Sequence, residues 1–153
     1  MKTITMIFLF LVLLFPASAK AQALVPPKMD QPVTEDEVRR FMDDYKARLM
    51  RMEIDAFMDL FSKEAVENRM RPYADIREGY QRTFANSNAI AYQLEISSVQ
   101  TYQKSAYVSG RYALNQSIKG SKKDRVFQGN IQWELIREEG SLKIKEMNYG
   151  RDQ

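Results

Sequence analysis

The 153-residue chain contains no cysteine and no histidine. Without cysteine there can be no disulfide, no thiolate nucleophile, no zinc–cysteine site and no lipid-modified N-terminal Cys. Without histidine, Ser-His-Asp chemistry, His general bases and most transition-metal sites are excluded as well. An excess of one charge sign is also missing. Setting aside the first 21 residues, with Lys2 and Lys20, lowers Lys+Arg from 23 to 21 against 20 Asp+Glu, so the net charge falls from +3 to +1. A protein that tracks phosphates needs a clear cationic excess on one face, so no nucleic-acid partner is expected. Six Gly and five Pro are too few for a low-complexity chain. No metal or cofactor is expected. What remains is the chemistry of Asp/Glu, Lys/Arg, Tyr and Ser/Thr.

The one long apolar run, Ile7 to Phe15, has nine residues, roughly half of the ~20 that a membrane-spanning helix needs. Lys2 precedes it, Pro16 breaks it, and the small residues Ala17, Ser18, Ala19, Ala21 and Ala23 follow. This is the pattern of a signal peptide over 1–21, cut between Ala19 and Ala23. The expected product is periplasmic or secreted and not inserted in the membrane. Residues 22–33 hold Pro26, Pro27 and Pro32 without apolar periodicity and read as an extended linker. One domain is expected over 34–150.

That domain reads helices first. Thr34 and Glu37 have capping-box spacing, with Glu35, Asp36 and Glu37 at the positive helix end. Val38, Phe41, Met42, Tyr45, Leu49 and Met52 then form one helical stripe. Asp55 is expected to cap a short second helix, with Phe57, Leu60 and Phe61 inward. Ala65-Val66-Glu67-Asn68 reads as a short strand or turn. Pro72 opens a third helix with the stripe Tyr73, Ile76, Tyr80 and Phe84. After Asn88 the period becomes two. Four long strands are expected, around Tyr92–Ile96, Ala106–Leu114, Phe127–Leu135 and Leu142–Tyr149. Helices followed by strands, each strand with one apolar face, imply an α+β domain.

These pieces resemble the cone-shaped fold of the nuclear transport factor 2-like superfamily, in its SnoaL-like and ketosteroid isomerase-like branch. Ile54-Asp55-Ala56-Phe57-Met58-Asp59-Leu60-Phe61 is similar to the second helix. Ala65-Val66-Glu67-Asn68 is similar to the short strand after it, and Ile76-Arg77-Glu78-Gly79-Tyr80 to the third helix. Ala106 to Tyr112 and Trp133 to Ile144 resemble the central strand and the last hairpin. The resemblance implies three N-terminal helices packed on a curved antiparallel sheet of about four long strands plus one short one. It also implies a cone that either is packed or binds a small apolar molecule. Candidate pocket residues are Tyr45, Leu49, Phe61, Tyr80, Phe84, Tyr92, Tyr112 and Trp133, and a plain core is the alternative for each.

For catalysis, the resemblance puts a carboxylate base at the end of the short strand, where this chain has Asn68. A neutral amide is no base, so the expectation leans towards a non-catalytic binding module. The alternative is an isomerase, dehydratase or cyclase using Tyr45 and an inward-turned Glu67. Strand phase leaves Glu146 as the other acid able to point in and puts Tyr149 on the outer face. Superfamily members pair through the outer face of the sheet, which gives a possible homodimer or envelope-protein contact; a solvated face is the alternative. Arg69, Arg71, Arg77 and Arg82 are either a cationic rim or ordinary surface charge.

Overall fold

The computed structural model describes residues 31–152. The expected signal peptide, and the linker up to Asp30, lie outside the described residues. Val33, at the end of the expected linker, is 3% exposed and its N–H donates to the Tyr102 carbonyl at 3.2 Å. The packed domain therefore includes it.

Helix α1 (Glu35–Arg51) starts where the Thr34 side chain accepts from the Glu37 N–H at 3.3 Å, a cap worth about 1 kcal/mol. Arg48 and Arg51 suit its negative end, and Met52 closes it in the left-handed region at φ 56°. Val38, Met42, Tyr45 and Leu49 are buried, while Phe41 and Met52 are half-buried at the margins of the stripe. Helix α2 (Ile54–Met58) is flanked by Glu53, which makes no side-chain cap. The expected capping role of Asp55 is not seen: Asp55 sits inside the first turn and its carboxylate bonds Arg77 of the third helix.

Strand β1 (Phe61–Glu67) begins four residues earlier than expected and pairs with strand β2 (Arg71–Pro72), which the sequence did not suggest. Helix α3 (Tyr73–Ala85) follows, with Pro72 just ahead of it. Strands β3 (Ser87–Thr101), β4 (Ser105–Ile118), β5 (Arg125–Glu138) and β6 (Ser141–Tyr149) complete a sheet of order β2-β1-β6-β5-β4-β3. All neighbours are antiparallel except β1 and β6. The α+β architecture and the four long strands stand, with two short strands rather than one. Among the described residues no helix is long and apolar enough to cross a membrane.

Two irregularities decide which side chains enter the cone. In β6, Ile144 pairs with Leu135 but Glu146 pairs with Glu134, so Lys145 is an extra residue. A bulge of one residue reverses every later side chain. Leu142 and Ile144 face in before it, and Met147 faces in after it. Glu146 therefore points to the outer face and Tyr149 to the inner one, the reverse of the expected phase. In β1, Phe61 pairs with Ile144 and Val66 with Glu146, so the four residues between them oppose the single residue Lys145. That leaves Phe61, Ala65 and Glu67 all buried.

The chain end lies along β5. The Gly150 N–H donates to the Asn130 carbonyl at 3.0 Å, and the Asp152 N–H donates to the Gln128 carbonyl at 2.9 Å. A Cβ on Gly129 would stand 1.9 Å from the Gly150 carbonyl oxygen. Gly129→Ala is therefore expected to push this segment off the sheet at a cost of about 1–3 kcal/mol. Faster amide exchange at Gly150 and Asp152, with a lower denaturation midpoint, is the expected result. Unchanged exchange there would contradict the close approach.

Candidate functional site

A cavity of about 780 Å³ lies between α1, α3 and the inner faces of β3 to β6. That is within the usual range for small-molecule sites, ~300–1,000 Å³. Its deep end is built from buried residues: Tyr45 and Leu49 of α1, Glu67 of β1, Tyr92, Tyr112, Ile131 and Met147. Its outer end is formed by the last turns of α3, the β4–β5 turn and the chain terminus.

Glu67 ends β1 on the inward face and is 1% exposed. The turn after it needs left-handed residues, supplied by Asn68 (φ 49°) and Arg69 (φ 61°). The chain returns with Arg71 directly opposite Glu67, and the Arg71 guanidinium donates to the Glu67 carboxylate. A second guanidinium nitrogen donates to the Asp75 carbonyl at 2.8 Å. The group lies over Gly79, where a Cβ would be 2.5 Å from it. The glycine gives the guanidinium room to reach Glu67. Burial is the largest influence on Glu67 and pushes its carboxyl above its ordinary value. The Arg71 charge, a hydrogen bond from Tyr149 and one from Arg71 oppose that push without cancelling it.

Tyrosines surround this carboxylate. The Tyr45 hydroxyl donates to the Met147 sulfur at 3.6 Å and interacts with the Tyr80 hydroxyl. Its ring packs on Phe57, Tyr92 and Trp133 at 5.4, 6.0 and 5.6 Å. Tyr92 stacks on Tyr112 at 6.3 Å, and Tyr112 meets Tyr149 edge-on at 6.2 Å. The Tyr92 hydroxyl is buried and, among the described residues, has no partner in hydrogen-bond geometry. Burial, more than any neighbour, raises Tyr45, Tyr80 and Tyr92, and the Glu67 charge adds to it at Tyr45 and Tyr80. These phenols are therefore donors at neutral pH. In an alkaline titration, Tyr45, Tyr80 and Tyr92 are expected to ionise only as the fold opens, well above about pH 10. Reversible ionisation of all eight tyrosines with the circular dichroism intact would contradict this.

Of the expected pocket residues, Tyr45, Leu49, Tyr80, Tyr92 and Tyr112 line the cavity. Phe61, Phe84 and Trp133 do not. Phe61 and Phe84 pack on Phe57 at 5.4 and 5.7 Å, and Trp133 is 1% exposed behind Tyr45. They are core because each lies one layer behind the cavity wall. Asn68 does not face the cavity: its side-chain oxygen accepts from the Tyr149 N–H at 2.9 Å, tying β1 to β6. The carboxylate at this corner is Glu67, one residue earlier. Arg71 and Arg82 reach the cavity, whereas Arg77 bonds Asp55 and Arg69 is exposed in the turn.

Tyr149, Met147, Gln116 and Arg125 also line the cavity, though none was expected there. Gln116 and Arg125 were legible, since they continue the inward phases of Tyr112–Leu114 and Phe127–Gly129. Tyr149 and Met147 were hidden by the bulge. The Gln116 amide donates to Ser87, which donates to the Thr83 carbonyl, at 2.8 and 2.6 Å, joining β4, β3 and α3. Among the described residues no three His, Cys, Asp or Glu side chains group as a metal site would require. Glu67 with its hydroxyls can exchange a proton and stabilise negative charge on a bound oxygen.

No protein-family model and no curated protein matches the sequence. Solved structures do match the fold. A nuclear transport factor 2-like superfamily protein from Salmonella enterica is 14% identical, with TM-score 0.67, over 77% of this chain and 90% of its own. A ketosteroid isomerase-like protein from Erwinia carotovora atroseptica is 18% identical, with TM-score 0.62, over 79% of this chain and 99% of its own. A candidate scytalone dehydratase from Novosphingobium aromaticivorans is 13% identical, with TM-score 0.66, over 77% and 83%. The chain has the cone fold of these nuclear transport factor 2-like and ketosteroid isomerase-like structures. At such identities the likeness extends to the fold alone.

Proposed function

We propose that the cone binds one small, largely apolar molecule and that Glu67 exchanges a proton with it, in a reaction of the isomerase, dehydratase or cyclase type. The observation that carries this reading is a buried carboxylate with raised proton affinity on the wall of the cavity, among tyrosine hydroxyls. A raised carboxyl is suited to giving and taking protons near neutral pH. Tyr45 and Tyr149 are the hydroxyls that would polarise the bound oxygen. A non-catalytic binding module is the second reading, and the Glu67–Arg71 ion pair favours it, because it gives the carboxylate a structural partner.

One experiment separates the two. Cyclic enones and β-hydroxy ketones are offered in deuterated water. Binding is followed through Trp133, the single tryptophan, which lies against Tyr45, and exchange at the carbon next to the carbonyl is followed by NMR. Catalysis predicts binding with exchange. Binding without exchange by the unaltered protein leaves the binding module, and no binding removes both.

We also propose that the protein is exported, on the strength of its basic start, apolar run and small-residue cut site. Any homodimer or envelope-protein contact is assigned to the outer sheet face, a proposal supported by its exposed Tyr107 amid polar neighbours.

A further inference from the structure

The charges of the cavity are one-sided. Its lining includes Arg71, Arg82, Lys119, Arg125 and Arg151, against the single acid Glu67. The rest of the domain does not share this excess. Lys2, Lys20, Lys28 and Asp30 precede the described residues and Gln153 follows, which leaves 20 Lys+Arg against 19 Asp+Glu over 31–152. Five of these 20 cations line the cavity, against one of the 19 acids.

Their partners differ. Arg71 is used by Glu67, and Arg82 is paired with Glu78 at 3.0 Å, with both side chains in solvent. Lys119 donates to the uncharged Ala85 carbonyl at 2.8 Å. Arg151 lies over the Phe127 ring at 4.4 Å and has no ion-pair partner among the described residues. Arg125 is exposed, on the inward phase of β5, with no ion-pair partner among the described residues. Asp152 is adjacent in sequence to Arg151, but it is taken by Arg111 of β4. Along the paired strands β4 and β5, Leu114 with Phe127 and then Tyr112 come between Arg125 and the Ile131–Tyr149 pair, beside which Glu67 pairs with Met147.

From this arrangement we propose that the ligand is an anionic amphiphile. Its carboxylate, sulfonate or phosphate is held at the opening by Lys119, Arg125 and Arg151. Its apolar body lies along Phe127, Leu114 and Tyr112, and its reacting end meets Glu67. The planar arginine fork can hold two oxygens of one oxyanion at once, and a cleft lined by one sign focuses its field on an approaching ligand. The inference rests on the cone being a binding site, as proposed above.

The test uses two probes with one body, 8-anilinonaphthalene-1-sulfonate and the uncharged N-phenyl-1-naphthylamine, titrated into the purified protein. The anionic probe is expected to bind about tenfold tighter at low salt, and its advantage should shrink in 0.5 M NaCl, as screening requires. In the double variant Arg125→Glu/Arg151→Glu, both positions being exposed, the ratio of the two affinities is expected to fall by about tenfold or more. Unchanged circular dichroism checks the fold. Equal affinities, or a ratio that survives both the salt and the double variant, overturn the anion assignment and leave the cone reading standing. Failure of both probes to bind overturns the cone reading and this inference with it.

Discussion

Replacing Glu67 with glutamine is expected to slow turnover by about 10²–10⁴-fold, the usual contribution of a positioned proton-transfer group. Ligand affinity should change only a few-fold. The amide keeps the shape of the carboxyl and its one oxygen can still accept from Arg71, so the cavity wall is preserved while proton exchange is lost. The pH dependence of stability gives a second signature. Burial raises the Glu67 carboxyl in the folded state, whereas in the unfolded chain it titrates at its ordinary value. Between those two values the folded protein holds more protons than the unfolded one, so stability falls as pH rises through the window. The contribution is fully present below the ordinary value and is lost above the raised one. The glutamine variant lacks that slope. The difference between the two stability curves, taken by urea unfolding from pH 4 upward, therefore isolates Glu67. A difference curve flat across this range contradicts a raised carboxyl, and unchanged turnover contradicts its role.

Arg137→Ala is expected to be the most destabilising single change in the domain outside its apolar core. The Arg137 side chain is 2% exposed, and its guanidinium donates to both oxygens of Glu37 at 2.8 and 2.7 Å. It also reaches the Gly140 carbonyl at 3.3 Å, in the two-residue β5–β6 turn formed by Glu139 (φ 48°) and Gly140 (φ 81°). The pair thus fastens the first turn of α1 to the far end of the sheet. Removing one member of a buried pair leaves the other charge uncompensated, at about 3–5 kcal/mol when fully buried. Glu37 keeps 17% exposure, so about 2–4 kcal/mol is the expected loss. For a domain of this length, that lowers the melting temperature by roughly 10–20 °C. Arg137→Lys keeps the charge but not the two-point contact and should recover only part of it. A shift of only a degree or two for the alanine variant would show that the pair is spectator to stability.

The sequence disclosed what regular periodicity can carry. Thr34 and Glu37 announced α1, and the stripe from Val38 to Leu49 announced its buried face, because cap and period agree there. The alternation in β3 to β5 placed Tyr92, Tyr112 and Ile131 inward for the same reason. Where the period breaks, the reading broke with it. The extra residue at Lys145 turned Tyr149 inward and Glu146 outward, and no local residue choice announces that bulge. The four-against-one mismatch of β1 with β6 hid both the start of β1 and the inward Glu67.

Cavity and core were indistinguishable by type. Tyr92 and Phe84 look equally apolar-phased, but only the first meets open space. That distinction depends on how far α3 stands from the sheet, which no single element encodes. The resemblance pointed to Asn68, a turn residue whose side chain accepts from the Tyr149 N–H, whereas the carboxylate on the cavity wall is Glu67, one position earlier.

The cone, and not the sheet face, is the binding site we propose, with Glu67 on its wall. The most direct measurement is the carboxyl carbon resonance of Glu67, followed by NMR through a pH titration and then through saturation with N-phenyl-1-naphthylamine. A midpoint above the ordinary carboxylate value is expected in the free protein. Saturation is expected to move the Glu67 signal together with the ring signals of Tyr112 and Tyr149, while Tyr107 stays still. An ordinary midpoint, with saturation moving Tyr107 and Gln132 and leaving Glu67 in place, would contradict it.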